Sequence, residues 1–327
     1  MTKMNMSKAI NHAIRNEMHR DEKVLVYGED LGVAGGSWRV AENLQKEFGV
    51  TRVFDTPLAE SAIAGMAVGL GYVGYRSVIE IEYSGFMFEA MDALAGQMAR
   101  VHYRSGGAFN APITVRVPFG SGMGVVELHN DNLEGLLAQS HGLKVVMPSS
   151  PYDAKGLMIS AIRDNNPVIF FEHLSLYFNT EEDVPEEEYM IEIDKASIKK
   201  EGHDVTLITY GAMVEKVMNV SKTIADKGIK AEVIDLRSLS PIDYDTLITS
   251  IQKTKRAIII QEAQRSAGVA NIISSKLNEE LFTELKSPIS VIASPDTLHP
   301  FVEVEDVWVS NENMIVDKIS SLFENQK

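Results

Sequence analysis

The sequence contains no cysteine. That excludes disulfides, a thiolate nucleophile and cysteine-ligated metal clusters, and it fits a reducing compartment, so the expected location is cytoplasmic. Basic residues are also scarce: 31 Lys and Arg stand against 46 Asp and Glu, a formal net charge of −15. Nucleic-acid partners call for a basic patch to meet the phosphates, so none is expected. An acidic surface maintains solubility and can attract a basic docking module. Long apolar runs are missing too. The notable uncharged run, 61–75, is glycine-rich and falls short of the ~20 residues that cross a bilayer. Residues 1–21 mix acids and bases over an amphipathic pattern and lack the apolar stretch of a signal peptide, so neither secretion nor a membrane role is expected.

What is present suits a globular protein. With 327 residues, 45% hydrophobic and 24% charged, the chain can bury two cores at roughly 150 residues per domain. Short β-branched runs at 24–27, 76–81, 113–117, 144–147 and 168–171 alternate with helical patterns near 7–19, 60–74, 86–102 and 152–163. Such alternation predicts an α/β fold with a largely parallel sheet over 1–180. The acidic, proline-containing stretch that begins at Glu181 reads as an interdomain connection, 181–202. Alternation then resumes, with strands at 205–210, 230–234, 257–260 and 289–292 among helices near 213–227, 242–252, 267–281 and 310–323. A second, smaller α/β domain over 203–327 follows. No repeat of 20–50 residues is visible, which sets solenoids and propellers aside.

Two motifs need weighing. Gly69-Leu-Gly71-Tyr-Val-Gly74 matches the dinucleotide fingerprint by letters and offers a nicotinamide-dependent oxidoreductase. The fingerprint must follow a strand and open a helix, whereas these glycines end a helical pattern that precedes a strand. Glu60, after Asp55-Thr56-Pro57-Leu58-Ala59, starts that same helix and by itself is a first-turn acid favoured by the dipole.

The string Phe54-Asp55-Thr56-Pro57-Leu58-Ala59-Glu60-Ser61 resembles the pyrimidine-binding motif of beta subunits in thiamine diphosphate-dependent 2-oxo acid dehydrogenases. Similar matches run through Tyr27-Gly28-Glu29-Asp30, Gly85-Phe86, Gly142-Leu143-Lys144-Val145-Val146, 151–156 and 161–167. The second domain adds Thr209-Tyr210-Gly211, Asp235-Leu236-Arg237, Gln261-Glu262-Ala263 and Ser294-Pro295-Asp296. Many short matches in one order are more specific than any single one.

The resemblance implies a pyrimidine-binding domain followed by a transketolase C-terminal-like domain, assembled with an alpha subunit as an α2β2 heterotetramer. It implies decarboxylation of a 2-oxo acid and acyl transfer to a lipoyl domain of a dihydrolipoyl acyltransferase core. Glu60 would hydrogen-bond the cofactor's aminopyrimidine and promote the imino tautomer that deprotonates the thiazolium carbon. Phe86 would pack on the pyrimidine, with Leu58 beside it. Glu29 and Glu89 match acids lining a channel between two cofactors, although surface carboxylates are common enough to explain both. His129 matches a histidine facing substrate and lipoyl group. His141 and Gln139 stand where relatives often carry proline and some carry histidine, so neither receives a role.

By the matching positions, a potassium ion would be held by Ile113, Ala161, Ile162, Asp164 and Asn166. Gly-Asp-Gly, the family's magnesium and diphosphate anchor, does not occur in this chain. The resemblance therefore places magnesium on the alpha subunit and implies half an active site here. The run His129-Asn130-Asp131-Asn132-Leu133-Glu134 is most like bacterial pyruvate-type enzymes. Branched-chain 2-oxo acid and acetoin relatives, and a non-catalytic subunit of the same fold, stay open as alternatives.

Overall fold

Strands form where β-branched and aromatic residues cluster, and the computed structural model, which describes residues 1–125 and 127–324, gathers them into three sheets. The first unit supplies β1 (Thr2–Asn5), β2 (Val24–Gly28), β3 (Val53–Asp55), β4 (Arg76–Glu80), β5 (Ile113–Phe119), β6 (Lys144–Val146), β7 (Val168–His173) and β8 (Glu181–Val184). The second supplies β9 (Ser197–Lys200), β10 (Val205–Thr209), β11 (Ala231–Asp235), β12 (Ser238–Ser240), β13 (Ala257–Gln264) and β14 (Ser290–Ser294).

The main sheet has the order β12-β6-β7-β5-β4-β2-β3 and is parallel except at β12. A five-stranded sheet, β14-β13-β10-β11-β9, is parallel except at β9. Every residue of β2, β5 and β7 is buried, because helices cover both faces. On one face, Met6, Ile10 and Ile14 of the helix Met6–Arg20 pack with Leu157, Met158 and Ile162 of the helix Pro151–Arg163. Both helices start on side-chain caps: Asn5 accepts from the Lys8 amide at 2.9 Å and Ser150 from the Asp153 amide at 3.2 Å.

Three features differ from the sequence pattern. The single helix expected near 86–102 is instead a chain of short pieces: a 3₁₀ turn Ser84–Phe86, an α-helix Met87–Met91, a π segment Asp92–Gln97, a 3₁₀ turn Met98–Arg100 and a last α-turn Val101–Arg104. The wide turn coincides with Gly96, against which the Asp92 carboxylate folds. The acidic stretch after Thr180 contains β8, which pairs antiparallel with β1. The short β12 leaves the second unit to extend the first unit's sheet beside β6.

Inside the first unit lies a buried charge network. Arg116 grips Glu172 through two 2.7 Å bonds and also pairs with Glu80, while the Tyr177 hydroxyl donates to Glu172. Burial works against the Arg116 charge, but the Glu172 and Glu80 carboxylates outweigh it and hold its pKa above the ordinary value. Arg116→Met is therefore expected to destabilise the chain by about 3–5 kcal/mol, because two carboxylates would stay buried without their cation. Urea denaturation reads this directly; an unchanged midpoint would mean that the carboxylates had found another partner.

Candidate active site

The chain leaves β2 to form β3 on one side and returns to form β4 on the other, so its direction reverses at β2. In open α/β sheets ligands bind outside the carboxyl ends of the strands at such a switch point. Three carboxylates converge there. Glu29 directly follows β2, Glu60 opens the helix Glu60–Tyr72 after β3, and Glu82 lies two residues past β4. Glu29 is 8% exposed, and neither of its buried carboxyl oxygens has a hydrogen-bond partner. Burial first, then the charges of Glu60, Glu82 and Asp30, push its pKa up to about 7.

Beside them sits an aromatic group. Phe86 meets His129 edge-on with 5.1 Å between ring centres, and Tyr83 contacts both, at 5.6 Å from Phe86 and 4.5 Å from His129. The Ser84 hydroxyl donates to the Asp131 carbonyl, tying the two loops together. At Gly85 a Cβ would stand 1.9 Å from the Leu128 carbonyl oxygen, so only glycine lets the His129 turn approach this closely. Nδ1 of His129 is buried and unpartnered.

Sequence reasoning named Glu60, Glu29, Phe86 and His129, and the fold brings them together as two adjoining groups. Leu58 is on the approach to Glu60 and is 81% exposed. Glu89 is exposed, one turn beyond Phe86, and is not among the charges that act most strongly on Glu29. Ile113, Ala161, Ile162, Asp164 and Asn166 are grouped elsewhere, where the helix Pro151–Arg163 ends near the start of β5. There Arg76 donates to the Ile162 carbonyl at 3.1 Å and to the Asp164 carbonyl at 2.9 Å, and Lys144 pairs with the Asp164 carboxylate. Asn166 donates to the same carboxylate from its amide at 2.9 Å.

Glu82 and Tyr83 were missed by sequence reasoning. The signal was available: an acid and an aromatic at the carboxyl end of a buried parallel strand belong to the ligand-binding edge of the sheet. The letters of the dinucleotide fingerprint, by contrast, fall on the last turn of Glu60–Tyr72 and the Gly74 turn ahead of β4, the reverse of the order that motif needs. A cavity of about 530 Å³ between the two units is lined by Ser121, His173, Lys216, Glu262 and Glu305, and by none of the site residues above. No helix among the described residues is long and apolar enough to cross a membrane.

Comparison with known proteins agrees along the whole chain. The family model "Transketolase, pyrimidine binding domain" matches residues 2–179, and "Transketolase, C-terminal domain" matches residues 194–315. The chain is 53% identical over 324 residues, 99% of its length, to the Staphylococcus aureus protein named pyruvate dehydrogenase E1 component subunit beta, which it covers completely. The Staphylococcus epidermidis protein of the same name matches at the same identity and coverage. Among solved structures, "Split gene transketolase, inactive beta4 tetramer" superposes with a TM-score of 0.79 over 99% of both chains at 19% identity, a likeness of fold. With a transketolase-type pyrimidine-binding domain, a transketolase-type C-terminal domain and this identity over its full length, the chain belongs to the family of pyruvate dehydrogenase E1 beta subunits.

Proposed function

We propose that this chain is the beta half of a thiamine diphosphate-dependent decarboxylase component acting on pyruvate, joined to an alpha subunit in an α2β2 heterotetramer. The observation that carries the reading is the meeting of Glu60 with the buried, unpartnered Glu29 beside the Phe86–His129 pair. Those groups fit an aminopyrimidine: a carboxyl to bond a ring nitrogen, an aromatic face to pack on it, and a buried acid to exchange a proton. When bound, thiamine diphosphate supplies the carbanion chemistry of decarboxylation. Glu60 holds and tunes the proton at the pyrimidine, Phe86 and Leu58 bound the ring, and His129 orients or protonates the substrate carbonyl. Glu29, with Glu89 further out, passes protons along the site.

Magnesium and the diphosphate would be held by the alpha subunit, since this chain lacks Gly-Asp-Gly. The acyl group would pass to a lipoyl domain of the dihydrolipoyl acyltransferase core, for which the C-terminal domain is the docking surface. Cytoplasmic location follows from the same reading. A potassium ion fits the turn at Ile113, Ala161, Ile162, Asp164 and Asn166 as a hard cation among oxygens. A carbonyl oxygen accepts twice, so the Arg76 bonds leave Ile162 and Asp164 a lone pair each.

The substrate is tested by measuring kcat/KM of the reconstituted component for pyruvate, 2-oxoisovalerate and acetoin. Pyruvate is expected to be preferred by at least roughly tenfold, the range a small difference in pocket volume supports. A preference for either competitor would overturn the assignment while leaving the family intact.

A further inference from the structure

The carboxylate cluster contains a member that the proposed chemistry leaves unused. Glu82 lies two residues past β4, whose neighbour β2 ends just before Glu29, and its carboxyl comes within hydrogen-bonding reach of Glu29. Two carboxylate oxygens cannot bond to each other without a proton. The contact becomes a hydrogen bond only when one of the pair is protonated, which is why both Glu29 oxygens have no partner otherwise. The charges acting most strongly on Glu29 are all negative: Glu60 from the helix after β3, Glu82 after β4 and Asp30 next in the chain. Glu80 and Tyr83 neighbour Glu82 in turn.

On its far side Glu82 accepts a hydrogen bond from the hydroxyl of Ser37, an exposed residue of the β2–β3 connection. Glu82 itself is half-buried. Exposure falls from exposed Ser37 to half-buried Glu82 to Glu29, the most buried of the set, and half-buried Glu60 stands beyond it. One end meets solvent and the other meets the acid assigned to the cofactor.

We propose that Glu82 is a positioning residue for the site proton: it shares one proton with Glu29, keeps that proton beside Glu60, and exchanges it with solvent through Ser37. Two close carboxyls without a cation cannot both ionise near neutral pH, so the pair holds a proton at pH values where an isolated carboxyl has lost it. The proton moves as a simple exchange. Breaking O–H on one carboxyl accompanies its formation on the other, and the net charge of the pair stays the same. This inference rests on the proposed role of the Glu60 site.

The sign of the expected effect follows from Glu29, whose pKa is raised by burial, by Glu60 and by Glu82 to about 7. Removing the Glu82 charge lowers it. The test is the pH profile of thiazolium proton exchange in the heterotetramer loaded with magnesium and thiamine diphosphate, comparing wild type, Glu82→Gln, Glu82→Asp and Ser37→Ala. In Glu82→Gln the midpoint near neutral pH is expected to move at least about one pH unit to the acid side, the size of shift a close like charge produces. Glu82→Asp, which restores the charge, is expected to recover most of the wild-type profile. A well-folded Glu82→Gln enzyme whose profile superposes on wild type would overturn the proposal. Should Glu82→Gln not fold, Ser37→Ala decides: loss of the donor is expected to displace the midpoint, and an unmoved midpoint overturns the proposal equally. Failure of the underlying site assignment would look different, as wild-type heterotetramer with no such exchange at all.

Discussion

Glu60→Gln is expected to slow exchange of the thiazolium proton by about 10²–10⁴-fold in the reconstituted enzyme, the contribution typical of a positioned acid or base. Cofactor affinity should change little, because in the proposed half-site most of the binding energy would come from the diphosphate and its metal on the alpha subunit. The amide can still hydrogen-bond a ring nitrogen but cannot exchange a proton with it. The affected link is activation, so kcat should fall while the cofactor concentration for half-saturation stays near wild type. Glu60 also stands among the charges that raise Glu29, so the same substitution should move the Glu29 titration to lower pH. Wild-type exchange in Glu60→Gln would return this residue to the ordinary role of a first-turn acid favoured by the helix dipole.

The isolated chain is expected to release no carbon dioxide from pyruvate with magnesium and thiamine diphosphate, and addition of the alpha subunit is expected to restore turnover. Two observations support this. Gly-Asp-Gly is absent from the sequence, which in the proposed reading leaves the main charged contact to the cofactor to the alpha subunit. Leu58, on the approach to Glu60, is 81% exposed, so that side of the site is uncovered in the chain alone. One carboxyl and one ring are a weak hold on a cofactor whose diphosphate carries most of the charge. Robust turnover by the purified chain alone would sink the half-site reading, and the assay of both mixtures side by side decides it.

Some of this was legible because local pattern and tertiary structure agree. The runs at 24–27, 76–81, 113–117 and 168–171 are β-branched and aromatic on both faces, and they became the central parallel strands β2, β4, β5 and β7. Helices with strong start signals, such as Pro151–Arg163 with Ser150 as its cap, were readable to within a residue or two. The three-residue β6 was read from its run at 144–147, but β3 and β12 were not. β3 has three residues and so has β12, too few for a period-2 pattern to show. The piecewise 84–104 segment also looked continuous, since its apolar spacing is helical and the departures at Gly85 and Gly96 come from what packs against them.

The sequence by itself determined the class of the fold, the absence of cysteine chemistry, the absence of Gly-Asp-Gly and the place of Glu60 in a recognisable motif. Each of these depends on residue type and order, which a linear pattern carries. Only the tertiary structure decided that Glu82 and Tyr83 belong with them, that Glu29 keeps no partner for its oxygens, and that β12 crosses from one unit to the other's sheet. Glu29, Glu60 and Glu82 follow three different strands, separated by tens of residues, and their mutual repulsion exists only once β2 lies between β3 and β4. A pKa shift is a property of distance and burial, and neither is written in the order of the residues.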